Sequence, residues 1–588
     1  MFTVTCTVDD PDPGGQEFRL PTWIPGSYMI REFAKNLVTI DASCQGVPVA
    51  LTMHDKSTWQ AAPCEGPLTV TYDVYAWDLS VRMAHLDTTH AYFNGTSVFL
   101  EAVGKSQRRH LVDIQPPHGE AYDAWRVATA LPRDGAPEQG FGMYAASDYD
   151  ELIDHPVECG TFDSITFLAC GVPHTVVITG KHRCDMTRLA EDLKAICTSQ
   201  IKLFGEPAPM DRYLFQVMAV GNGYGGLEHR ASTSLICRRE DLPRAGVRKV
   251  TDNYRKFLGL CSHEYFHTWN VKRIKPASFV PYDLSKEGYT TLLWAFEGIT
   301  SYYDDLMLLR SERIPTEGYL ELVGQTATRV YSGKGRSLQA VGQSSFEAWT
   351  KFYRQDENAP NAIVSYYTKG SLVAMALDLH LRLHTQGATT LDDVMRRLWA
   401  AWLETGEGVS EGGIEEAAEA ESGLDLKPFF DHAVRGTEDL PLAELLASFG
   451  VTLSFRAKIQ EDDVGGKPSP HHKTHPQPAS YLGVRVRKTG GDARVRIVEA
   501  DSPAQRAGIS AGDVLIACEG LRITGAQFFK TIQSYRPGTE LSLVGFRRDE
   551  LMTFKVTLEE APATHAFLKI DPDADREALE RRASWLGV

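Results

Sequence analysis

Over roughly the first 170 residues the apolar positions come in short alternating runs. In Leu68-Thr69-Val70-Thr71-Tyr72-Asp73-Val74-Tyr75, the side chains of Leu68, Val70, Tyr72 and Val74 fall on one face of an extended chain. Clusters such as Asp10-Pro11-Asp12-Pro13-Gly14-Gly15 break these runs, and the spacing predicts an antiparallel β domain over residues 1–170. Within it, Trp23-Ile24-Pro25-Gly26-Ser27-Tyr28 is a turn carrying two aromatics, expected to cover a core edge. From about 171 the pattern changes. Tyr213–Val220 reads as a strand, and apolar residues then recur at helical spacing over about 248–270, 286–311 and 366–384. Leu391–Trp399 and Pro441–Leu446 continue it, so a mixed domain over 171–385 is followed by a helical lobe over 386–460. Residues 461–479, polar and rich in Pro and Gly, read as a linker carrying His471, His472 and His475. A further module spans 480–560, and 561–588 form a charged, helix-like tail. The fold class is multidomain α+β.

Composition narrows the function. The 588 residues suit about four domains, and 43% hydrophobic with 23% charged residues is the balance of a globular chain. The absence of a long uninterrupted apolar run predicts no membrane span. A net charge of −16 argues against nucleic acid or anionic lipid as partner. Ten cysteines without a short CxxC pair read as free thiols in a reducing compartment. Met1–Asp10 shows no basic segment followed by an apolar one, so the expected location is cytoplasmic, or periplasmic where a signal has been removed.

The chemistry centres on Cys261-Ser262-His263-Glu264-Tyr265-Phe266-His267-Thr268-Trp269-Asn270. Positions four apart share a helix face, so His263 and His267 can direct two imidazoles at one cation, a zinc-type ligand pair. Glu264 sits beside that face, placed to act as general base toward water without being a ligand. A third ligand is needed. Glu297 is the lone carboxylate of the apolar run Leu292–Tyr303, where burial is costly unless the group is paired or holds a metal. The stretch Gly221-Asn222-Gly223-Tyr224-Gly225-Gly226-Leu227-Glu228-His229-Arg230 lacks the Gly-Lys-Ser/Thr of a phosphate loop. Glycines beside a strand instead admit a second backbone, which suits a peptide laid along a sheet edge and ending at Glu228.

Beyond the linker, Tyr481-Leu482-Gly483-Val484 followed by Asp501-Ser502-Pro503-Ala504 and Ala511-Gly512-Asp513-Val514-Leu515-Ile516 resembles a bacterial-type PDZ domain. That resemblance implies that Tyr481, Leu482, Gly483 and Val484 present amides to the C-terminal carboxylate of a peptide ligand. The whole chain resembles the glycyl aminopeptidase family of PDZ-containing zinc peptidases, relatives of the larger gluzincin aminopeptidases. The resemblance rests on His263–Asn270, Trp294-Ala295-Phe296-Glu297-Gly298, Gly225-Gly226-Leu227-Glu228-His229 and the PDZ module. It implies a thermolysin-like zinc peptidase domain with one zinc per chain on His263, His267 and Glu297, and Glu264 as base. The Gly225–His229 segment would grip a substrate's free amine through Glu228, although three of five residues differ from the Gly-Ala-Met-Glu-Asn of the larger enzymes. Tyr367 of Tyr367-Thr368-Lys369-Gly370 would stabilise the oxyanion, with Tyr366 as runner-up. The expected function is removal of small N-terminal residues, Gly or Ala, from peptides. The alternatives are a zinc endopeptidase and a PDZ-based peptide-binding scaffold with a silent peptidase fold.

Overall fold

A computed structural model describes residues 1–468, 479–487 and 491–587. The histidines His471, His472 and His475 therefore lie outside the described residues. The chain divides into two compact units. One comprises Met1–Tyr289, Arg310–Ile314 and Met395–Ser410, and the other Thr290–Leu309, Pro315–Val394 and Glu411–Val588.

The first unit opens with the expected antiparallel β structure. Strands β1 (Phe2–Val8), β2 (Leu37–Cys44), β3 (Val47–Val49) and β4 (Leu68–Val74) pair in the order β1-β4-β2-β3. The alternation in β4 is realised: Leu68, Val70, Tyr72 and Val74 are at most 1% exposed and pack with Phe18, Leu20 and Phe33. A second sheet contains β5 (Phe162–Ala169), β6 (Val172–Thr179), β7 (Tyr213–Val220), β8 (Gly225–Glu228) and β9 (Ser232–Arg238), in the order β5-β6-β7-β9-β8. β6 and β7 are parallel, which demands a crossover, and helix α1 (Met186–Phe204) supplies it. β8 runs antiparallel to β9 at the sheet edge, with Glu228 opposite Thr233.

Helix α2 (Asp252–Phe266) carries the His-Glu-x-x-His motif. Its N-cap Thr251 accepts the Tyr254 amide, satisfying a donor that the first turn leaves unpaired. One face buries Leu258, Cys261 and Tyr265. The Tyr265 ring meets Tyr213 of β7 edge-on at 4.7 Å, and its hydroxyl lies 2.8 Å from His174 Nε2 on β6. On another side, Gln200 of α1 donates to the Ser262 carbonyl and hydroxyl, both at 2.9 Å. These contacts fix the rotation of α2 about its axis, and with it the direction of the motif's polar side chains.

In the second unit the helix expected over 286–311 begins later. Its first turn is π-helical over Trp294–Ile299 and continues as α-helix over Thr300–Arg310. Helix α4 (Thr368–His384) packs beside its π-helical turn, and α3 (Thr316–Tyr331) packs against α4. After β10 (Val451–Arg456) comes the PDZ-type module. Its sheet runs β11 (Val484–Val486), β12 (Ala493–Val498), β13 (Val514–Cys518), β14 (Glu540–Arg547), β15 (Glu550–Thr557) in that order, with helix α5 (Phe528–Gln533) alongside. The chain then returns to the lobe as β16 (His565–Ile570), which pairs with β10 over Val451↔Ile570 to Arg456↔His565. The module is thus an insertion between two paired strands. The described part of the expected linker is packed as well: Arg456 grips Asp463 at 2.5 Å, and the Gly466 amide donates to the Ala566 carbonyl at 2.8 Å.

The stretch beyond 560, expected as a charged tail, is likewise built in. Helix α6 (Arg576–Leu586) buries Trp585 completely, and its indole donates to the Tyr302 hydroxyl at 2.9 Å. Tyr302 in turn donates to Asp378 at 2.6 Å, and Arg382 joins Asp378 to the Ser584 carbonyl. The charge on α6 misleads a reading from composition because only one stripe of the helix meets the core. Trp585→Ala is expected to cost about 3–5 kcal/mol in urea unfolding, since it empties a large buried site and strips Tyr302 of a partner. A loss below about 1 kcal/mol would show that the terminal helix is dispensable.

Candidate active site

In the first unit α2 places His263 and His267 one turn apart, with ring centroids 4.6 Å apart. The His267 Nδ1 lies 2.6 Å from the Asn270 carbonyl, so Nδ1 carries the proton and Nε2 keeps its lone pair for a ligand role. The carbonyl of Asn270, three residues beyond the motif, thus orients the second histidine, a role that sequence reasoning missed although Asn270 stood in the quoted stretch. Glu264 is buried, 4% exposed.

β8 faces this helix. Strand alternation sends Leu227 into the N-terminal core, completely buried, and turns Gly226 and Glu228 the other way. The polar atoms of Glu228, Glu264 and His267 lie within 4.8 Å of one another. Such an approach requires a bare α-carbon: a Cβ on Gly226 would stand 2.1 Å from Glu264 Oε1. At Gly225 a Cβ would meet only ordinary contacts, so the two glycines are not equivalent. Arg82 reaches from the N-terminal domain to the Gly226 carbonyl at 3.4 Å.

Glu228 is backed by the turn that carries two aromatics. Trp23 and Tyr28 are buried against Phe279 and Tyr282, as a packing role requires. Between them Gly26, at φ +87°, brings its α-carbon against the Glu228 carboxylate; a Cβ there would lie 2.3 and 2.5 Å from its two oxygens. The Pro-Gly pair marked the turn, but only the tertiary contact makes it part of this site.

Next to Glu228 lies a buried charge cluster. Asp154 accepts from Lys272 Nζ at 2.8 Å and Arg230 Nε at 2.8 Å, and lies 3.1 Å from His229 Nδ1. Arg230 also pairs with Asp150, so its guanidinium is engaged by two aspartates. Burial alone would raise the Asp154 carboxyl, but Lys272, Arg230 and His229 outweigh it and hold it well below the usual carboxylate range. Burial pushes the His229 imidazole down despite Asp154. His229 therefore points its Nδ1 at a structural pair, which the strand pattern could not reveal.

In the second unit Glu297, 2% exposed, sits in the π-helical turn. Gly298 crosses Gly370 of α4: a Cβ on Gly298 would stand 2.5 Å from the Gly370 carbonyl carbon. The glycines ending Trp294–Gly298 and Tyr367–Gly370 are therefore the crossing point that sets the two segments side by side. Tyr367 is half-buried at the start of α4, while Tyr366 is fully buried. Their rings stack at 4.8 Å, and Phe352 stacks on Tyr367 at 5.6 Å. Burial, with Tyr353 and Glu297 nearby, holds the Tyr366 hydroxyl far above the usual phenol range. In the PDZ-type module Gly483 has φ +82°, a conformation that suits glycine, and Leu482 is buried. The Leu482 and Gly483 carbonyls accept from Ala504 and Glu499 amides, and the Tyr481 hydroxyl donates to Glu499 at 2.7 Å.

A second set of metal-capable groups, His85, Asp87 and His90, occurs in the N-terminal domain. There the two rings stack at 4.9 Å with an 18° tilt and His90 Nδ1 is 3.2 Å from Glu158, an arrangement of hydrogen-bonded stacking that does not aim both lone pairs at one ion. All ten cysteines are free. Among the described residues no helix is long and apolar enough to cross a membrane.

A helix with paired histidines and a buried glutamate beside an edge strand is the arrangement that zinc-type metallopeptidases use. The sequence matches the Peptidase M61 N-terminal domain over residues 1–161, M61 glycyl aminopeptidase over 256–373 and a PDZ domain over 480–558. An aminopeptidase N family protein from Idiomarina loihiensis is similar in structure, with 41% identity, 99% of this chain and 97% of that chain covered, and a TM-score of 0.94. The chain belongs to the M61 glycyl aminopeptidase family. More distant matches include an M1 zinc metallopeptidase from Deinococcus radiodurans (13% identity, 75% and 90% covered, TM-score 0.46) and aminopeptidase A of Legionella pneumophila (14%, 74% and 47%, 0.45). A comparison with curated proteins found no match.

Asp154→Asn is expected to destabilise the protein by about 3–5 kcal/mol, because Lys272 would remain buried without its anion and Arg230 would keep only Asp150. A carboxylate whose folded pKa is depressed contributes stability present above its unfolded pKa, near 3.9, and lost as pH falls toward the folded value. Denaturant midpoints measured from pH 7 down to pH 2 should show the wild type losing stability below about pH 4 more steeply than the Asn variant. Parallel acid limbs would remove Asp154 as their source.

Proposed function

We propose that this protein is a zinc aminopeptidase that removes small N-terminal residues from peptides, with His263, His267 and Glu297 holding one zinc ion per chain. The observation that carries the reading is the pair His263 and His267, 4.6 Å apart between ring centroids, with His267 Nδ1 committed to the Asn270 carbonyl. Two imidazoles and a buried carboxylate are the donor set of catalytic zinc sites, which leave a coordination position open. Bound there, zinc would acidify water and polarise the scissile carbonyl.

The chain's own residues supply the rest. Glu264 takes a proton from the attacking water and delivers it to the departing amine. Tyr367 donates its hydroxyl to the oxyanion; its half-buried place at a helix start favours it over the fully buried Tyr366. The peptide adds along the edge strand β8, where Gly225 and Gly226 admit its backbone. Glu228 binds the substrate ammonium. Its burial at the end of the edge strand, one residue beyond Leu227 and on the same side as Gly226, supports this. His229 acts through Asp154, beneath Glu228. The family's glycyl aminopeptidase description supports a preference for small first residues, Gly or Ala.

Hydrolysis of free and N-acetylated Gly and Ala peptides, with metal analysis, tests the reading. Wild type should carry about one zinc per chain, lose turnover to a chelator and cleave only free-amine substrates. Glu264→Gln should keep the metal and lose turnover. Tyr367→Phe should lower kcat on the order of a hundredfold with little change in KM, and Glu228→Ala should lose about 2–5 kcal/mol in kcat/KM at unchanged zinc content. Equal cleavage of acetylated and free peptides, with an active Glu228→Ala, would move the assignment to an endopeptidase. Zinc retained in both His263→Ala and Glu297→Ala would refute the ligand set.

A further inference from the structure

The PDZ-type module has its peptide groove between edge strand β11 and helix α5, and this groove does not open onto bulk solvent alone. A cavity of about 740 Å³ is lined by Leu482 and Gly483 of the carboxylate loop, by Val486 and Ile532, and by the helices of the same unit that precede the module. The lining from that preceding part includes Ile363, Phe352 and Thr368. Thr368 begins α4, one residue beyond Tyr367, and Phe352 stacks on the Tyr367 ring. A volume of this size encloses ligands of a few residues.

The module's seat on the lobe is fixed at several points. β10 and β16 pair on either side of the insertion, and Asn361 clamps the loop after β12 from both directions. Its amide donates to the Val498 carbonyl at 2.9 Å and accepts from the Ala500 amide at 2.8 Å. An independently mobile peptide-binding module would not need such a clamp. The charges on the cavity wall also point to an occupant. Arg485 is held by Glu499, Asp463 by Arg456 and Arg336 by Asp439, and of the remaining ionic groups on the wall the cations Lys458 and Arg329 outnumber the single carboxylate Glu461. Lys458 reaches from the end of β10 over the Phe529 ring of α5, 5.6 Å from its centroid. A cavity with an excess of cations and a glycine-containing loop at the end of an edge strand complements an anionic peptide terminus.

We propose that the groove is part of the peptidase's own substrate site: it binds the free C-terminal carboxylate of the peptide substrate, whose chain runs through the shared cavity toward Tyr367. The proposal rests on the aminopeptidase reading above and adds to it a preference for short peptides of defined length with an unblocked C-terminus. The enzyme would thereby act on the products of an endopeptidase in place of the ends of intact proteins.

Two measurements on the full chain test it. The first is kcat/KM over a ladder of glycyl-initiated oligoalanine peptides, each as the free acid and the C-terminal amide. The acid is expected to be favoured at least tenfold once a threshold length is reached, and Ile532→Asp or Lys458→Glu should erase that preference. The second measures fluorescence polarisation of an N-acetylated, labelled oligoalanine acid on Glu264→Gln enzyme, which needs no turnover. Binding should be lost on amidation and weakened at least tenfold by Ile532→Asp or, should that variant misfold, by Lys458→Glu. Acid and amide cleaved within twofold at every length would overturn the proposal, even with the acetylated acid bound, because the groove would then serve a separate partner. Absence of acetylated-peptide binding would overturn it as well. Absence of hydrolysis of all free-amine peptides would instead refute the aminopeptidase reading, an outcome that the binding measurement keeps distinct.

Discussion

The site depends on how closely backbone can approach a carboxylate. At Gly226 the edge strand meets Glu264, and at Gly26 a turn meets Glu228; in each case any side chain would collide with a carboxylate oxygen. The cost of such a collision is not relieved by a flexible neighbour, because both carboxylates are themselves buried at 4% exposure. Strand β8, helix α2 and the Trp23–Tyr28 turn are therefore locked into one arrangement. The same device recurs in the second unit, where Gly298 and Gly370 let the π-helical turn lie directly on the start of α4.

Around these contacts the protein concentrates charge in places where it is fully compensated. Asp154 is surrounded by Lys272, Arg230 and His229, so its buried charge is met from three sides.

The PDZ-type module follows an analogous economy of construction. Because it is inserted between β10 and β16, its position is set at both ends by a β ladder and at its middle by Asn361. The C-terminal helix completes the lobe by burying Trp585 on Tyr302, in the same helix that begins with the turn of Glu297. Chain segments remote in sequence thus support the helices that carry the chemistry.

Features with local periodicity were legible from the sequence. The alternation of Leu68, Val70, Tyr72 and Val74 declares a strand with one buried face, and the four-residue spacing of His263 and His267 sets two imidazoles side by side on one helix, because both follow from the geometry of a single element. Family-specific strings extended that reading to Glu297, Glu228 and the PDZ-type loop. What only tertiary structure decided are contacts whose partners lie far apart in the chain: Gly26 against Glu228, Asp154 beneath His229, β16 on β10, and α6 as core in place of tail. Composition misjudged α6 and the start of the expected linker, since a helix or loop that is polar on most of its surface still folds into the core when one tryptophan or one aspartate finds its partner. Such partnerships depend on the path of the whole chain, which no local pattern encodes.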